Sequence, residues 1–153
     1  MLSVCIPIYN VNVEKLVKAL SGQIAELGVP VEVVLIDDHS NTYQQENEKL
    51  GSDNVTYIYL PENIGRASIR NLFLKYVKYD NLLFLDCDSA ILDKSFLANY
   101  ISEIKRGEKV ICGGRVYSDT PPERSKSLHW QYGRKKESKP ANIRQMNPNA
   151  SFM

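Results

Sequence analysis

Two patterns of apolar residues alternate along this chain, and their alternation predicts the element order β-α-β-α-β-α-β-α-β. Short apolar runs, several of them rich in β-branched residues, indicate strands at residues 2–8, 31–37, 54–60, 82–85 and 109–117. Apolar residues three or four positions apart indicate helices at residues 12–27, 43–50, 66–79 and 94–106, and Asn12 is the expected N-cap of the first. This alternation predicts an α/β fold with a mostly parallel, doubly wound sheet flanked by helices.

Two carboxylates, Asp86 and Asp88, follow the fourth predicted strand where it leaves the sheet. In open α/β sheets, ligands bind outside the carboxyl ends of the strands. Carboxylate oxygens suit Mg²⁺ or Mn²⁺, which take one or two protein carboxylates and complete their shell with water and substrate phosphates. A solvated acidic turn would carry the same residues, so the pair alone leaves both interpretations open.

The composition is that of a soluble globular protein of about one domain. The chain has 153 residues, of which 43% are hydrophobic and 24% charged. No apolar run approaches the length of a membrane span, and the first residues lack the features of a secretory signal. Cys5, Cys87 and Cys112 lack metal-binding spacing, so we expect reduced thiols. These features predict a cytoplasmic protein, with the inner face of the membrane left open, and no nucleic-acid partner.

Positive charge is concentrated late in the chain. Residues 115–144 include eight Lys or Arg and three acidic residues, whereas the rest of the chain has 11 basic and 15 acidic residues. Such a region is most often a solvated surface, but the aromatic residues among the charges also fit a wall or lid that faces phosphates. We expect an α/β domain at residues 1–117 and an irregular basic segment at residues 118–153.

Four motifs that follow predicted strands resemble the signatures of family 2 glycosyltransferases with the GT-A fold. The glycine fingerprint of dinucleotide-binding folds and the P-loop are both absent from the sequence. The motifs occur in the order of the family and cover residues 3–89, as SVCIPIYN (3–10), VLIDDHS (34–40), NIGRASIRN (63–71) and FLDCDS (84–89). Each motif alone is weak, whereas four in the same order make the resemblance specific.

The resemblance implies a domain that binds a nucleotide-diphosphate sugar, of the UDP or GDP type, together with Mn²⁺ or Mg²⁺. It also implies transfer of the sugar, with inversion, to a saccharide or lipid-linked acceptor. Pro7 and Tyr9 would form a wall of the base pocket, although Pro7 could simply end a strand. Asp37 and Asp38 would contact the base or ribose, with Asp38 favoured, although Asp38 could instead be the N-cap of the next helix.

The third and fourth motifs would hold the phosphates and the metal ion. Gly65 would let the backbone approach the ligand closely. Arg66 and Arg70, one helical turn apart, would bind the diphosphate, although arginines at such positions are also typical of surface ion pairs. Asp86 would meet the ribose or sugar and would share the metal ion with Asp88.

Other interpretations of the acidic motifs stay open. Residues 85–88 resemble the nucleophile motif of haloacid-dehalogenase-like phosphatases, but Ala90 stands where that motif needs Thr or Val. The acidic residues after the second and fourth strands resemble the phosphoacceptor cluster of receiver domains, which would leave residues 1–30 unexplained. A nucleotide-sugar binder without catalysis would carry the same motifs as the enzyme. His39 and His129 have no partner at metal or triad spacing, and we expect structural roles for them.

An inverting transferase also needs a carboxylate base, which the family places well after the Asp-x-Asp strand. The acidic residues after Asp88 match no family motif; they are Asp93, Glu103, Glu108, Asp119, Glu123 and Glu137. Residues 147–153 resemble the approach to the family's acceptor-binding half. We therefore expect a truncated GT-A fold, the nucleotide-binding part of a longer enzyme whose base lies beyond Met153.

Overall fold

The structure is a computed structural model that describes residues 1–108, 110–114, 116–138 and 142–143. The chain forms two compact units, Met1–Ser102 and Glu103–Met153. In the described part of the chain, no helix is both long and apolar enough to cross a bilayer.

The first unit is built on a four-stranded sheet in which every pair of neighbouring strands is parallel. The spatial order of the strands is β3-β2-β1-β4, so the first strand is central. The strands are β1 (Leu2–Ile8), β2 (Val31–Asp37), β3 (Val55–Tyr59) and β4 (Leu82–Phe84). The helices that alternate with them are α1 (Glu14–Glu26), α2 (Gln44–Glu48), α3 (Gly65–Leu72) and α4 (Phe96–Lys105). The predicted α/β fold with a parallel sheet is confirmed.

The hydrophobic core is formed by the two central strands, β1 and β2, and by the helix that follows β3. Every residue of β2 is buried, as are six of the seven residues of β1. Ile69 of α3 and Phe73 after it pack in one cluster with Cys5, Val34 and Ile36. Burial of each such large side chain contributes roughly 1.5–3 kcal/mol. This packing holds α3 against the carboxyl half of the sheet.

Two predicted helices are shorter in the structure, for different reasons. Residues 66–79 were predicted as one helix, but α3 ends at Leu72 and only a 3₁₀ turn, Phe73–Lys75, continues it. The backbone N–H groups of Lys78 and Tyr79 instead donate to Glu32 Oε1 (2.5 Å) and Ser3 Oγ (3.2 Å). Helix α2 is likewise shorter than the predicted 43–50, since Tyr43 before it has a left-handed φ of 63°.

The predicted N-cap of the first helix was also wrong by one residue. Val13, not Asn12, is the N-cap of α1. The side chain of Asn12 nevertheless accepts a hydrogen bond from the N–H of Glu14, at 2.9 Å. The N–H of Val13 donates to Asn47 Oδ1 (3.1 Å), so a side chain from α2 helps to set where α1 begins.

The predicted fifth strand of the parallel sheet does not form. Of the described residues between 110 and 117, only β5 (Ile111–Cys112) is a strand, and it pairs antiparallel with β6 (Asn142–Ile143) in a separate two-stranded sheet. Two glycines follow β5 directly, and glycine weakens a strand because it has no side chain to pack. Residues 109 and 115 lie outside the described residues.

Helical turns occupy part of the basic segment that was expected to be irregular. A 3₁₀ turn (Arg124–Lys126), α5 (Ser127–Tyr132) and a π-helical turn (Gly133–Glu137) follow one another. Trp130 Nε1 donates to the carbonyl oxygen of Ser118 at 2.7 Å, and the Tyr117 hydroxyl donates to Glu137. Residues far apart in the sequence hold these turns in place, so the lack of an apolar period did not exclude helix.

Candidate functional site

The carboxyl ends of the parallel strands bring the sequence motifs to one edge of the sheet. β1 ends at Ile8 and β2 at Asp37, which are partners in the strand register. The N–H of Asp38 donates to Ile8 O at 2.8 Å, and the N–H of Leu85 donates to Cys5 O at 3.0 Å. The segments that follow β1, β2 and β4 therefore leave the sheet at the same edge, where open α/β sheets bind ligands.

Asp37 is part of the protein framework at this edge. Its side chain is fully buried at 0% exposure. Oδ1 accepts the N–H of Ser40 at 2.8 Å, and Oδ2 accepts the hydroxyl of Tyr57 at 2.8 Å. Burial, followed by the hydrogen bond to Asp37, raises the pKa of Tyr57 well above its ordinary value. The carboxylate thus fixes the turn after β2 and one side chain of β3.

Asp38 holds the start of a distant helix. Its residue is 5% exposed, and its two carboxylate oxygens accept the N–H groups of Ile64 (2.7 Å) and Gly65 (3.0 Å). Asn63 Nδ2 donates to the carbonyl oxygen of Asp38 at 3.0 Å. The alternative that Asp38 caps the next helix along the chain was wrong, since the N-cap of α2 is Tyr43. The helix that Asp38 contacts is α3, whose first residue is Gly65.

The two arginines of α3 differ in their surroundings. Arg66 is exposed, whereas Arg70 forms an ion pair with Asp86 in the segment after β4, at 3.1 Å between Nη2 and Oδ1. The Arg70 and Asp86 side chains are 37% and 44% exposed. Arg70 Nη1 also donates to the carbonyl oxygen of Arg66 at 3.4 Å. The structure thus brings the third and fourth motifs into direct contact.

The donor set of the Asp-x-Asp motif fits a hard divalent cation. Asp88 is exposed and Asp86 is partly exposed, so both carboxylates are reachable from solvent. Cys87 lies between them, and burial raises the pKa of its thiol, which keeps the neutral form at neutral pH. Among the described residues, no cluster of three or more His, Cys, Asp or Glu could hold a metal ion. Two carboxylates suit Mg²⁺ or Mn²⁺ only if substrate phosphates and water supply the remaining ligands.

Pro7 and Tyr9 lie at the end of β1. Pro7 does not end the strand, which continues to Ile8, and β4 pairs with β1 only from Ser3 to Cys5. The missing N–H of Pro7 therefore costs no hydrogen bond to β4. Tyr9 follows the strand and is 50% exposed. An exposed ring at a strand end is available to stack on a flat ligand.

Two asparagines that were not predicted as site residues connect the segments after β1 and β2. Asn10 has a left-handed φ of 55°, its N–H donates to Ser40 Oγ (2.8 Å), and its Oδ1 accepts the N–H of Asn41 (2.8 Å). Asn47 is fully buried and donates to the carbonyl oxygen of Val11 at 2.9 Å. The signal for Asn10 was its place just after a strand, since asparagine tolerates left-handed backbone and bonds nearby N–H groups.

The histidines make structural contacts, as expected for them. His39 Nδ1 lies 3.2 Å from the carbonyl oxygen of Leu60 and 3.2 Å from the hydroxyl of Tyr59. The ring of His129 packs edge-on against Tyr117.

Comparison with known proteins gives one family and a set of related structures. The model of the family described as "Glycosyl transferase family 2" matches residues 3–152. The crystal structure of S. aureus TarS 1–349 matches with 27% identity and a TM-score of 0.57, over 80% of this chain and 38% of that one. The complex of the same protein with UDP-GlcNAc matches with 26% identity and a TM-score of 0.59, over 80% and 37%.

A mannosyltransferase, PcManGT from Pyrobaculum calidifontis in complex with GDP-Man and Mn²⁺, shares the fold. It matches with 22% identity and a TM-score of 0.57, over 76% of this chain and 35% of that one. Among curated proteins, none matches the chain significantly. The chain covers only a little more than a third of the length of the TarS and PcManGT structures.

Proposed function

This chain belongs to glycosyl transferase family 2, and we propose that its first unit binds the nucleoside diphosphate of a sugar donor at the carboxyl edge of the parallel sheet. The observation that carries the proposal is the meeting of the third and fourth motifs at this edge, through Arg70 and Asp86. A positive side chain that could bind phosphate and a negative one that could bind a metal ion thus lie side by side. The binding of UDP-GlcNAc and GDP-Man by structures similar to this chain supports the proposal.

The diphosphate would lie beside α3, where Arg66 and Arg70 are one turn apart. The N–H groups of Ile64 and Gly65 already bond Asp38, so they do not form a phosphate cradle. The guanidinium groups would supply the binding instead, because arginine presents paired donors to phosphate oxygens.

The nucleoside and sugar would lie on either side of the phosphates. Pro7 and Tyr9 would form a wall for the base, since they flank Ile8, the last residue of the central strand, and Tyr9 is exposed. Asp86 would face the ribose or sugar, and Asp88 with Asp86 would hold Mg²⁺ or Mn²⁺. When bound, that ion would neutralise charge on the departing nucleoside diphosphate. A direct nucleotide contact by Asp38 stays a prediction.

The reaction that we propose for the whole enzyme is sugar transfer with inversion to a saccharide or lipid-linked acceptor. A carboxylate base would take the proton of the acceptor hydroxyl, whose oxygen would form a bond to the anomeric carbon as the bond to the diphosphate breaks. The residues of this unit would bind and orient the donor. They would leave the face of the sugar opposite the diphosphate open to the acceptor.

Several carboxylates after Asp88 are engaged by the protein, which supports a base outside them. Asp93 accepts the N–H of Ser95 at 2.8 Å. The others with described partners are Glu103 with Arg106 (2.7 Å), Asp119 with Arg134 (3.1 Å) and Glu137 with Tyr117. We therefore propose that this chain binds the donor and that the base lies beyond Met153.

Calorimetric titration of the chain with UDP and GDP, with and without Mn²⁺, tests the proposed function. Binding of at least one of the two nucleotides that strengthens when Mn²⁺ is added is the expected result. A chain that binds neither nucleotide in the presence of Mn²⁺ would contradict the proposal. Covalent phosphorylation by a small-molecule phosphodonor, without binding of either nucleotide, would favour the receiver interpretation instead.

A further inference from the structure

Asn10, the residue after Tyr9, connects the end of the central strand to the loop after β2. Its N–H donates to Ser40 Oγ at 2.8 Å. Its side-chain oxygen Oδ1 accepts the N–H groups of Asn41 (2.8 Å) and Thr42 (3.3 Å). The same oxygen accepts the hydroxyl of Thr42 at 3.3 Å. A single residue after β1 is thus bonded to three consecutive residues, 40–42.

The acceptor of the Asn10 N–H is itself held by buried groups. Ser40 is buried, and its N–H donates to Oδ1 of Asp37 at 2.8 Å. Asp37 is fully buried at the end of β2, and its Oδ2 accepts the hydroxyl of Tyr57 on β3 at 2.8 Å. A chain of hydrogen bonds therefore runs from β3 and β2, through Asp37 and Ser40, to the backbone of Asn10.

The backbone of Asn10 also changes direction at this point. Its φ of 55° lies in the left-handed region, which asparagine tolerates better than most residues other than glycine. The direction in which the chain leaves β1, directly after Tyr9, therefore depends on this residue and its hydrogen bonds.

The Tyr9 ring has no comparable support of its own. Tyr9 is 50% exposed. Within the part of the chain that the structure describes, its side chain forms no hydrogen bond and no contact with another ring. The position of the ring is therefore set by the backbone, which Asn10 holds on the carboxyl side of Tyr9.

We propose that Asn10 is a positioning residue, which holds Tyr9 where its ring stacks on the base of the sugar nucleotide. This inference rests on the proposed function, in which Pro7 and Tyr9 form a wall for the base. It makes the effect of Asn10 specific to the base, because Asn10 acts through Tyr9. The proposed phosphate and metal ligands lie elsewhere, on α3 and after β4.

Affinities for ligands with and without a base test this proposal. Asn10→Gly removes the Oδ1 acceptor and still tolerates the left-handed backbone. NMR titrations with UDP, GDP and inorganic pyrophosphate, each with Mg²⁺, give the affinities. We expect nucleotide affinity to fall about fivefold or more and pyrophosphate affinity to change less than about twofold, because only base stacking is weakened. Equal losses for nucleotide and pyrophosphate would overturn the proposal.

A double-mutant cycle with Tyr9→Ala shows whether Asn10 acts through the ring. Alone, Tyr9→Ala should lower nucleotide affinity at least as much as Asn10→Gly does. In the Tyr9→Ala chain, adding Asn10→Gly should lower the affinity less than about twofold further, because the ring that Asn10 positions is already absent. Two losses that multiply independently would overturn the proposal and indicate a direct contact between Asn10 and the nucleotide.

Two further variants isolate the hydrogen bonds of Asn10. Asn10→Asp keeps an oxygen acceptor and tolerates the left-handed backbone, so it should retain nucleotide affinity within about twofold. Ser40→Ala removes the acceptor of the Asn10 N–H and should reproduce the loss that is specific to the base. It also provides the measurement if Asn10→Gly folds poorly. An Asn10→Asp chain as weak as Asn10→Gly would overturn the proposal, as would unchanged nucleotide affinity in both Asn10→Gly and Ser40→Ala.

Asn12→Ala is the matched control. The exposed side chain of Asn12, two residues later, also accepts one backbone N–H, that of Glu14 at 2.9 Å. This variant should leave nucleotide affinity unchanged. Hydrogen exchange at the amides of Asn41 and Thr42 should become faster in Asn10→Gly and stay as it was in Asn12→Ala. Unchanged exchange at both amides in Asn10→Gly would overturn the role of Asn10 in holding the loop.

Failure of this inference can be told from failure of the proposed function. If the unmodified chain binds neither nucleotide in the presence of Mg²⁺ or Mn²⁺, the proposed function fails, and with it the link from Asn10 to the base. If the unmodified chain binds nucleotide and Asn10→Gly weakens nucleotide and pyrophosphate equally, only the positioning role fails.

Discussion

Arg70 and Asp86 form an ion pair between α3 and the segment after β4, with 3.1 Å between Nη2 and Oδ1. Both side chains are more than a third exposed, so the pair contributes only about 0–1 kcal/mol to stability. A nucleoside diphosphate with its cation would offer each partner a group of higher charge. Because the ion pair is weak, Arg70 could exchange Asp86 for a phosphate group, and Asp86 could exchange Arg70 for the cation, with little loss of stability.

Arg70→Ala should weaken binding of UDP or GDP by about tenfold or more. Loss of one charge-assisted hydrogen bond is worth roughly 1.5–3 kcal/mol, and tenfold corresponds to about 1.4 kcal/mol. Arg70→Lys should retain part of the affinity, because it keeps the charge and loses the paired donors. Calorimetry measures both.

Arg106→Ala is the matched control for this arginine. Arg106 is also in an exposed helical ion pair, with Glu103 at 2.7 Å. It should leave nucleotide affinity unchanged. An equal loss in Arg70→Ala and Arg106→Ala would mean that overall charge, and not the site at α3, controls binding.

Asp88→Ala should abolish the Mn²⁺-dependent part of nucleotide binding, since an exposed carboxylate at this motif is a proposed metal ligand. Asp37→Ala should have a smaller effect on that part. It should instead lower the free energy of unfolding, by about 1–3 kcal/mol, because Ser40 and Tyr57 lose their buried acceptor. Titration with and without Mn²⁺, together with urea unfolding, separates the two effects. Equal loss of Mn²⁺ dependence in both variants would place the metal elsewhere.

Cys5 should make the protein less stable at alkaline pH. Burial, followed by the charge of Glu32, raises the pKa of its thiol from 9.0 to about 12. The unfolded chain therefore loses this proton at a lower pH than the folded protein, so the free energy of unfolding falls as the pH rises from about 9 to about 12. Urea unfolding at several pH values in this window should show a shallower fall for Cys5→Ala than for the unmodified chain.

Val34→Ala controls for the lost core volume at Cys5. Val34 is fully buried and is the partner of Cys5 in the β1–β2 register, but it carries no titrating group. The variant should be less stable at every pH and should keep the slope of the unmodified chain. Identical slopes for all three proteins would show that Cys5 does not contribute to the pH dependence of the free energy of unfolding.

The sequence predicted those parts of the fold that local patterns determine. The bounds of β1 and β2 agree with the prediction because buried parallel strands are continuous apolar runs. The end of α3 was not predictable in this way, because Lys78 bonds a glutamate 46 residues earlier. The contact of Asp38 with α3 spans 26 residues and has no local signal either.

The 153-residue chain alone should not sustain sugar transfer, because we place the catalytic base beyond Met153. Incubation with UDP-GlcNAc or GDP-Man, Mn²⁺ and a panel of saccharide acceptors, followed by mass spectrometry, measures the product. A longer protein that continues past Met153 is the control and should transfer. Sustained transfer by the 153-residue chain would contradict this account. It would make Asp119, Glu123 and Glu137 the first candidates for the base.

Paramagnetic broadening in NMR spectra tests the central claim most directly, since it locates the metal and the nucleotide together. The ¹⁵N-labelled chain is saturated with UDP or GDP and Mg²⁺, and Mn²⁺ is then added in small amounts. The account predicts that amide signals of residues 86–88 and of the first turn of α3 broaden first. It also predicts that those of Leu2, Val31 and Val55, at the opposite ends of their strands, stay sharp. Broadening centred on that opposite edge, or none that depends on the nucleotide, would contradict it.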